Sequence, residues 1–221
     1  MPATEKAYKG LPMEGFIARW YTRNTSRDQR RFRRAAAAVE GRIARGAAVL
    51  EVAPGPGYLA IELARAGCRV TGLDISRSFV RIATENAARA GVQAEFRHGN
   101  ASAMPFPEGS FDLVVCMAAF KNFTDPLGAL NEFHRVLRPG GTASVFDLRR
   151  DAQLEAIAQE VEEMSLSRWN AAMTRFVFRH SLLRNAYRRS DMEALAAQSR
   201  FRSAEYREDG IGFELRLKRE G

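Results

Sequence analysis

The residues with the clearest chemical character lie in one short loop and at one nearby strand end. The loop reads Glu51-Val-Ala-Pro-Gly-Pro-Gly57, and Asp74 closes the apolar run that follows it. Gly55 and Gly57 stand where a side chain would collide with a ligand that approaches the backbone. A glycine loop at a helix N-terminus, followed by a strand-end carboxylate, is typical of sites that bind an adenosine-containing molecule.

The spacing alone leaves two classes of ligand open. The glycines satisfy the dinucleotide fingerprint, and Asp74 would then bind the ribose of NAD. Glu51 favours a different adenosine ligand, because a carboxylate beside the loop repels a pyrophosphate but attracts an ammonium group. Pro54 and Pro56 also lack the N–H groups that a phosphate would need. An NAD-dependent oxidoreductase therefore stays open as an alternative function.

The elements that must position this loop alternate between short apolar runs and helical repeats. Strands are predicted at 47–53, 68–76, 92–100, 111–120 and 142–148, with helices between them, and the C-terminal segment predicts a hairpin around Asp209-Gly210. Ser76 is predicted to cap the helix that runs to Gly91. This order predicts an α/β fold with a doubly wound, Rossmann-like, mostly parallel sheet of seven strands and an antiparallel C-terminal hairpin.

The whole chain is predicted to form a single domain in four parts. Residues 1–45 form a helical lid, 46–148 the ligand-binding core, 149–200 a helical substrate cover, and 201–221 the hairpin strands. Within the lid, the pattern over 27–45 predicts an amphipathic helix. The cover, which contains neither Gly nor Pro, is predicted to be helical and amphipathic over 151–200. Both helical parts would lie over the carboxyl ends of the strands, where open α/β sheets bind ligands.

Composition and charge narrow the classes of protein. The 221 residues are 46% hydrophobic and 27% charged, which is typical of a globular domain and excludes collagen and coiled coil. The net charge of +8 is concentrated in residues 1–45, which hold 11 basic and 4 acidic residues. Because 30 of the 34 basic residues are arginines spread along the chain, the charge alone does not predict nucleic-acid binding.

Other features favour a soluble, cytoplasmic protein. No apolar stretch approaches the roughly 20 residues that span a bilayer. Cys68 and Cys116 each fall in a predicted buried strand, as expected of reduced core thiols, and no metal site is predicted. The arginine-rich and aromatic segment 167–189 leaves contact with a membrane surface open. The oligomeric state is not predicted.

Five motifs together resemble a known family. VLEVAPGPG, GLDIS, GNASAMPF, FDLVVC and RVLRPGG occur in an order and spacing similar to the class I S-adenosylmethionine-dependent methyltransferases, over about residues 47–148. The similarity is greatest to the small-molecule branch that includes the ubiquinone and menaquinone C-methyltransferases. It implies S-adenosylmethionine as cofactor and in-line methyl transfer to a small aromatic or apolar acceptor. A methyltransferase-like nucleic-acid-binding module is the non-enzyme alternative.

The resemblance also implies roles for individual residues. Glu51 would lie near the cofactor's ammonium group, Asp74 would accept both ribose hydroxyls, and Ile75 would pack on the adenine face. Asn100 replaces the family's usual Asp and would accept from the adenine amino group, or would serve only the local turn. Ala101 would offer a backbone N–H to the ring.

The sequence departs from the family pattern at two places. Ala53 replaces a usual glycine and is tolerable only if its φ is negative. Lys121 and Asn122 stand where relatives often have a histidine. Lys121 is a candidate general base or a partner of an anionic substrate, and the alternative is a lysine at a solvated loop edge.

Two further candidate catalytic residues come from the cover segments. Residues 15–25 resemble the aromatic lid helix of the family. In such a helix Tyr21 would offer a hydroxyl and Trp20 would cover the site. The alternative is an ordinary amphipathic helix. His180 in the segment 167–189 is a candidate base. The aromatic and arginine side chains of that segment predict an apolar pocket rimmed by cations, which suits a flat, anionic acceptor.

Overall fold

A seven-stranded sheet forms the centre of the computed structural model, which describes residues 8–9, 13–25, 30–163 and 182–221. The strands are β1 (Ala48–Val52), β2 (Arg69–Asp74), β3 (Ala94–His98), β4 (Phe111–Met117), β5 (Leu137–Leu148), β6 (Glu205–Asp209) and β7 (Gly212–Lys218). Their order across the sheet is β3-β2-β1-β4-β5-β7-β6. The first five strands run parallel, and β7 pairs antiparallel with both β5 and β6. The predicted fold is therefore confirmed.

Helices surround this sheet. They are α1 (Gly15–Thr25), α2 (Arg30–Glu40), α3 (Tyr58–Arg65), α4 (Arg77–Arg89), α5 (Pro126–Val136), α6 (Leu154–Glu163) and α7 (Arg189–Gln198). The start of α4 is fixed as predicted, because the Ser76 hydroxyl accepts a hydrogen bond from the Phe79 N–H at 3.1 Å. Asp125 begins α5 in the same way, by accepting from the Gly128 N–H at 2.8 Å.

Two hydrophobic cores lie on opposite faces of the sheet. One packs α5 and α7 against the sheet through Phe133 and Met192, and the other packs α2 and α3 against it through Val39 and Leu59. All five residues of β1 are buried, as expected of a central parallel strand with helices on both sides. The carboxyl ends of β1, β2, β4 and β5 therefore form one edge at which side chains from separate parts of the sequence meet.

Several predicted boundaries were wrong. β4 ends at Met117 instead of residue 120, because the chain turns there into a short 3-10 helix. β5 begins at Leu137 instead of residue 142, because the Arg-Pro-Gly-Gly stretch continues the strand through a register shift and the Gly140 N–H donates to the Arg219 carbonyl at 2.8 Å. The predicted helix over 27–45 ends at Glu40. The predicted cover helix over 151–200 is interrupted, since 185–188 is not helical.

The outer strands of the sheet are β3 and β6. Each carries exposed charges of both signs, Glu95 with Arg97 on β3 and Glu205 with Arg207 on β6. No helix within the described ranges is both long enough and apolar enough to cross a membrane.

Candidate functional site

Glu51 lies at the end of β1, beside the glycine loop, and is 3% exposed. Its Oε2 has no hydrogen-bond partner among the described residues. The pKa of Glu51 is raised to about 8, mainly by burial and also by the nearby Asp74 carboxylate, against the opposing effect of a hydrogen bond from the Ala60 backbone. A buried carboxylate oxygen without a partner is costly in the protein alone and suits a cationic or donor group of a ligand.

Asp74 ends β2 and is 5% exposed. Its carboxylate accepts hydrogen bonds from the Gly55 N–H at 3.0 Å and from the Ser76 N–H at 2.8 Å. Burial raises the pKa of Asp74 to about 6 even though these hydrogen bonds lower it. The Gly55 N–H thus points to Asp74, and Pro54 and Pro56 have no N–H, so the loop offers few donors to a pyrophosphate.

The two loop glycines serve different purposes. A Cβ atom at Gly55 would meet nothing within 4 Å, so the space above this residue is open to a ligand. A Cβ atom at Gly57 would stand 2.9 Å from the Cβ of Ala83 on α4. Gly57 also has a φ of +79° at the start of α3, which favours glycine. Packing and backbone conformation therefore account for Gly57. Gly55 also has a left-handed φ, of +55°, and in addition leaves open space that a ligand could fill.

The expectation for Ala53 was wrong. Its φ is +56°, in the left-handed region, where an alanine costs about 1–2 kcal/mol relative to the right-handed conformation. The Ala53 N–H donates to the Leu73 carbonyl at 2.8 Å, which holds the residue in place between β1 and β2. Ala53 therefore adopts a left-handed conformation that glycine would adopt without strain, and this residue is a point of local backbone strain in the loop.

The residues expected at the adenine differ in how well they suit that role. Ile75 is 41% exposed although it is apolar, which leaves its surface available to a flat ring. The Asn100 Oδ1 accepts from both the N–H and the hydroxyl of Ser102, each at 3.0 Å, so its two lone pairs are already used in the local turn. The contacts of Asn100 and Ala101 with an adenine stay predictions.

Helix α1 is tied down at both ends beside this site. The Glu14 carboxylate, which precedes it, accepts from the N–H groups of Arg77 and Ser78 at 2.9 and 3.0 Å, at the start of α4. Near its C-terminal end, the Thr22 carbonyl accepts from the Tyr58 hydroxyl at 3.2 Å, at the start of α3. The Tyr21 ring packs edge-on against Phe79 at 5.8 Å. The helix therefore spans from α3 to α4 across the ends of β1 and β2.

Lys121 is buried, and the alternative of a solvated lysine is wrong. The residue is 6% exposed, and its Nζ donates to Asp147 Oδ1 at 2.7 Å and to the Ala118 carbonyl at 2.8 Å. The Lys121 N–H also donates to Asp147 Oδ2 at 3.0 Å. Asp147 lies at the end of β5, so the pair joins the ends of β4 and β5. Removing the proton from this lysine would leave Asp147 buried without its partner, which disfavours a general base.

The structure brings three residues to this edge that the sequence did not single out. Tyr8 pairs with Phe123, just beyond β4, and burial raises its pKa, with further increases from Tyr21, Asp74 and Asp147. Tyr187 packs on Phe120 at 5.9 Å, and Asp147 is the third addition. Asp147 ends an apolar strand just as Asp74 does, so the strand-end pattern could have found it, whereas nothing local marks either tyrosine.

The remaining candidates from the sequence are the residues of the cover segment and the two cysteines. His180 and the large apolar side chains Trp169, Met173, Phe176 and Phe178 of the cover segment lie outside the described residues. Both cysteines are free and buried, as predicted.

A profile of the methyltransferase domain family matches residues 50–145. Over 101 residues, the chain is 39% identical to the demethylmenaquinone methyltransferase of Thermus thermophilus, covering 45% of this chain and 46% of that protein. Over 114 residues, it is 33% identical to a ubiquinone biosynthesis O-methyltransferase of Ralstonia nicotianae, covering 51% and 48% respectively. The chain thus matches about half the length of these curated relatives.

Solved structures share the fold over more of the chain. A SAM-dependent methyltransferase from Aquifex aeolicus is similar over 87% of this chain and 98% of its own, with a TM-score of 0.65 and 16% identity. A Methanococcus maripaludis protein provisionally assigned to the same class is similar over 98% of both chains, with a TM-score of 0.77 and 17% identity. At this identity the likeness concerns the fold.

Proposed function

We propose that the chain is a class I S-adenosylmethionine-dependent methyltransferase that methylates a small acceptor with an aromatic or otherwise apolar body; its residues 50–145 match the methyltransferase domain family. The observation that carries the proposal is the pair of buried carboxylates, Glu51 and Asp74, at the ends of β1 and β2. Neither has a cationic side chain paired with it among the described residues. An ammonium group and a ribose diol are the groups that such carboxylates bind well.

The residues of the glycine loop fit this cofactor. The unpartnered Glu51 Oε2 would accept from its ammonium group, and Asp74, fixed by two backbone N–H groups, would accept from the ribose hydroxyls. The open space at Gly55 leaves room for the ligand, and Ile75 offers an apolar surface to the adenine. When bound, S-adenosylmethionine supplies an electrophilic methyl group on a sulfonium sulfur.

The remaining tasks of the chain are alignment and exclusion of water, because a displacement at carbon needs its nucleophile in line with the leaving group. Lys121 acts as a positioning residue that holds the ends of β4 and β5 together through Asp147. Tyr21, whose ring packs edge-on against Phe79, is the candidate hydroxyl contact to the acceptor. His180 stays the candidate for proton removal.

Titration with S-adenosylhomocysteine tests the cofactor assignment. Asp74→Asn should weaken binding by about 10- to 100-fold, since hydrogen bonds to a charged group contribute about 1.5–3 kcal/mol. Glu95→Gln, which changes an exposed carboxylate on β3, should bind as the wild type does. Binding of NAD without binding of S-adenosylhomocysteine would instead establish the oxidoreductase alternative.

A screen for the acceptor tests the substrate class. Quinols come first, because two relatives carry demethylmenaquinone and ubiquinone biosynthesis in their names, followed by phenols, thiols and amines. The readout is S-adenosylhomocysteine formed with each compound. Turnover confined to protein or nucleic-acid substrates would overturn the small-acceptor assignment.

A further inference from the structure

A cavity of about 500 Å³ opens beside the starts of α5 and α7, and its lining is rich in cations. Lys9, Arg150 and Arg184 contribute to the lining together with Tyr187. Ligand pockets in proteins typically have volumes of about 300–1,000 Å³. The cavity is therefore large enough for a small molecule that contains a ring.

The three cations of this cavity differ from their neighbours in the sequence. Arg149 pairs with Glu208, and Arg189 lies 2.7 Å from Glu193. Among the residues that the structure describes, no carboxylate forms an ion pair with any of the three cavity cations. Arginines on this chain are commonly paired with acids, so a cluster of cations left without acids is a feature of the cavity that favours an anion.

The cavity also contains one carboxylate among its cations. Asp191 lines it, and this side chain accepts from the Arg188 N–H at 2.9 Å at the start of α7. The acid is therefore engaged by the backbone and not by the cations. The three cations outnumber this acid, so the lining keeps a net positive charge and attracts an anion such as a carboxylate.

Tyr187 connects the lining of the cavity to the end of β4. The Tyr187 ring packs on Phe120 with centroids 5.9 Å apart, and Lys9 Nζ lies 5.9 Å from the Tyr187 centroid. Phe120 precedes Lys121, whose ammonium group joins the ends of β4 and β5. A ring held against Tyr187 would thus lie beside the edge of the sheet at which the glycine loop also ends.

We propose that this cavity binds the carboxylate of an aromatic acceptor, with Arg150 and Arg184 contacting the anion and Tyr187 packing on the ring. That the bound molecule is the methyl acceptor rests on the proposed function, whereas the recognition of an aromatic carboxylate rests on the cavity alone. Arg150 follows β5 by two residues, and its backbone N–H donates to the Tyr187 carbonyl at 3.0 Å, so the two residues are held together.

Binding of benzoate and of benzyl alcohol, measured by ligand-observed NMR, tests this proposal on the full chain. Both probes carry a phenyl ring, but only benzoate is an anion at neutral pH. The wild type should bind benzoate about tenfold more tightly than benzyl alcohol. The double variant Arg150→Ala/Arg184→Ala should lose about tenfold in affinity for benzoate, the size expected when two partly exposed charge contacts are removed, and should bind benzyl alcohol unchanged.

Arg189→Ala is the matched control, because it removes an exposed arginine from the same region that is already paired with Glu193. Equal benzoate affinity in the wild type and the double variant, equal affinity of the wild type for the two probes, or an equal loss in the control would overturn the proposal. S-adenosylhomocysteine titrations run in parallel separate the two conclusions: benzoate binding without cofactor binding would refute the proposed function and leave the carboxylate site standing.

Discussion

Two sets of buried carboxylates lie at the same edge of the sheet and are satisfied in opposite ways. Where β1 and β2 end, Glu51 and Asp74 are buried without an ion pair to any described residue, and burial raises the pKa of both. Where β4 and β5 end, Asp147 has Lys121 at 2.7 Å. A buried carboxylate without a cationic partner suits a cationic or hydrogen-bond-donating ligand, whereas a carboxylate that is paired with a lysine of the same chain suits a structural role.

The largest expected effect comes from breaking the Lys121–Asp147 pair. Lys121→Met should lower the free energy of unfolding by about 3–5 kcal/mol, because it leaves Asp147 buried and uncompensated. Urea denaturation measures this loss. Lys218→Met, at an exposed lysine that ends β7, should change the stability little. Wild-type stability of Lys121→Met combined with a large loss of turnover would instead favour a general base.

The glycine loop offers a matched pair of substitutions. Gly57→Ala should cost about 2–4 kcal/mol of unfolding free energy, since it adds a clash with Ala83 to an unfavourable φ. Gly55→Ala should cost about 1–2 kcal/mol, from the φ of +55° alone, but should weaken S-adenosylhomocysteine binding. Chemical denaturation and calorimetric titration of both variants separate the two roles. Equal stability losses would contradict the assignment.

The unpaired carboxylates predict a pH dependence of cofactor binding. With the pKa of Glu51 at about 8 and that of Asp74 at about 6, both groups are largely protonated below pH 6 in the free protein. A ligand that favours the ionised acids must then displace protons. The affinity for S-adenosylhomocysteine should therefore rise about tenfold between pH 6 and pH 8, and Glu51→Gln should flatten this rise. An affinity independent of pH in the wild type would refute the ionic role of Glu51.

The same pKa shifts affect the stability of the ligand-free chain. Because burial raises the pKa of Glu51 and Asp74 above their values in the unfolded chain, the folded state holds more protons between about pH 4 and pH 8. Their contribution to stability is therefore lost as the pH rises through this window. Melting temperatures of the wild type and of Glu51→Gln, compared across the window, check the sign.

The smallest expected effect concerns Ala53. Ala53→Gly should raise the free energy of unfolding by up to about 1 kcal/mol, because relief of the left-handed φ outweighs the added freedom of glycine in the unfolded chain. Ala48→Gly, in β1, is the control and should destabilise the protein. Destabilisation by Ala53→Gly would show that the alanine methyl group makes a contact worth more than the strain.

The sequence predicted the parts of the site that depend on neighbouring residues. Asp74 follows an apolar strand and precedes a helix cap, and Glu51 adjoins the glycine loop, so local pattern sufficed for both. The alternative of a solvated Lys121 was wrong because its partner, Asp147, lies 26 positions further along the chain and is not part of the local pattern. Tyr8 reaches the site only through pairing with Phe123, which no local periodicity indicates.

Backbone conformation was the other feature that the sequence could not predict. The hydrophobic pattern predicted the succession of strands along the chain. The register shift that extends β5 back to Leu137 depends on pairing with β4, which the pattern does not contain. The φ of Ala53 likewise follows from the hydrogen bond to the Leu73 carbonyl on a separate strand, and not from the preference of alanine.

The charges on β3 and β6 bear on how this protein behaves when it is concentrated. Outer strands offer unpaired backbone groups that can template the addition of another chain. Glu95 lies 2.6 Å from Arg97 on β3, and Glu205 lies 2.7 Å from Arg207 on β6, so an added strand would have to strip water from charges of both signs. We therefore expect these four side chains to oppose the addition of another chain at the edges of the sheet, and threonine or valine in their place to favour it.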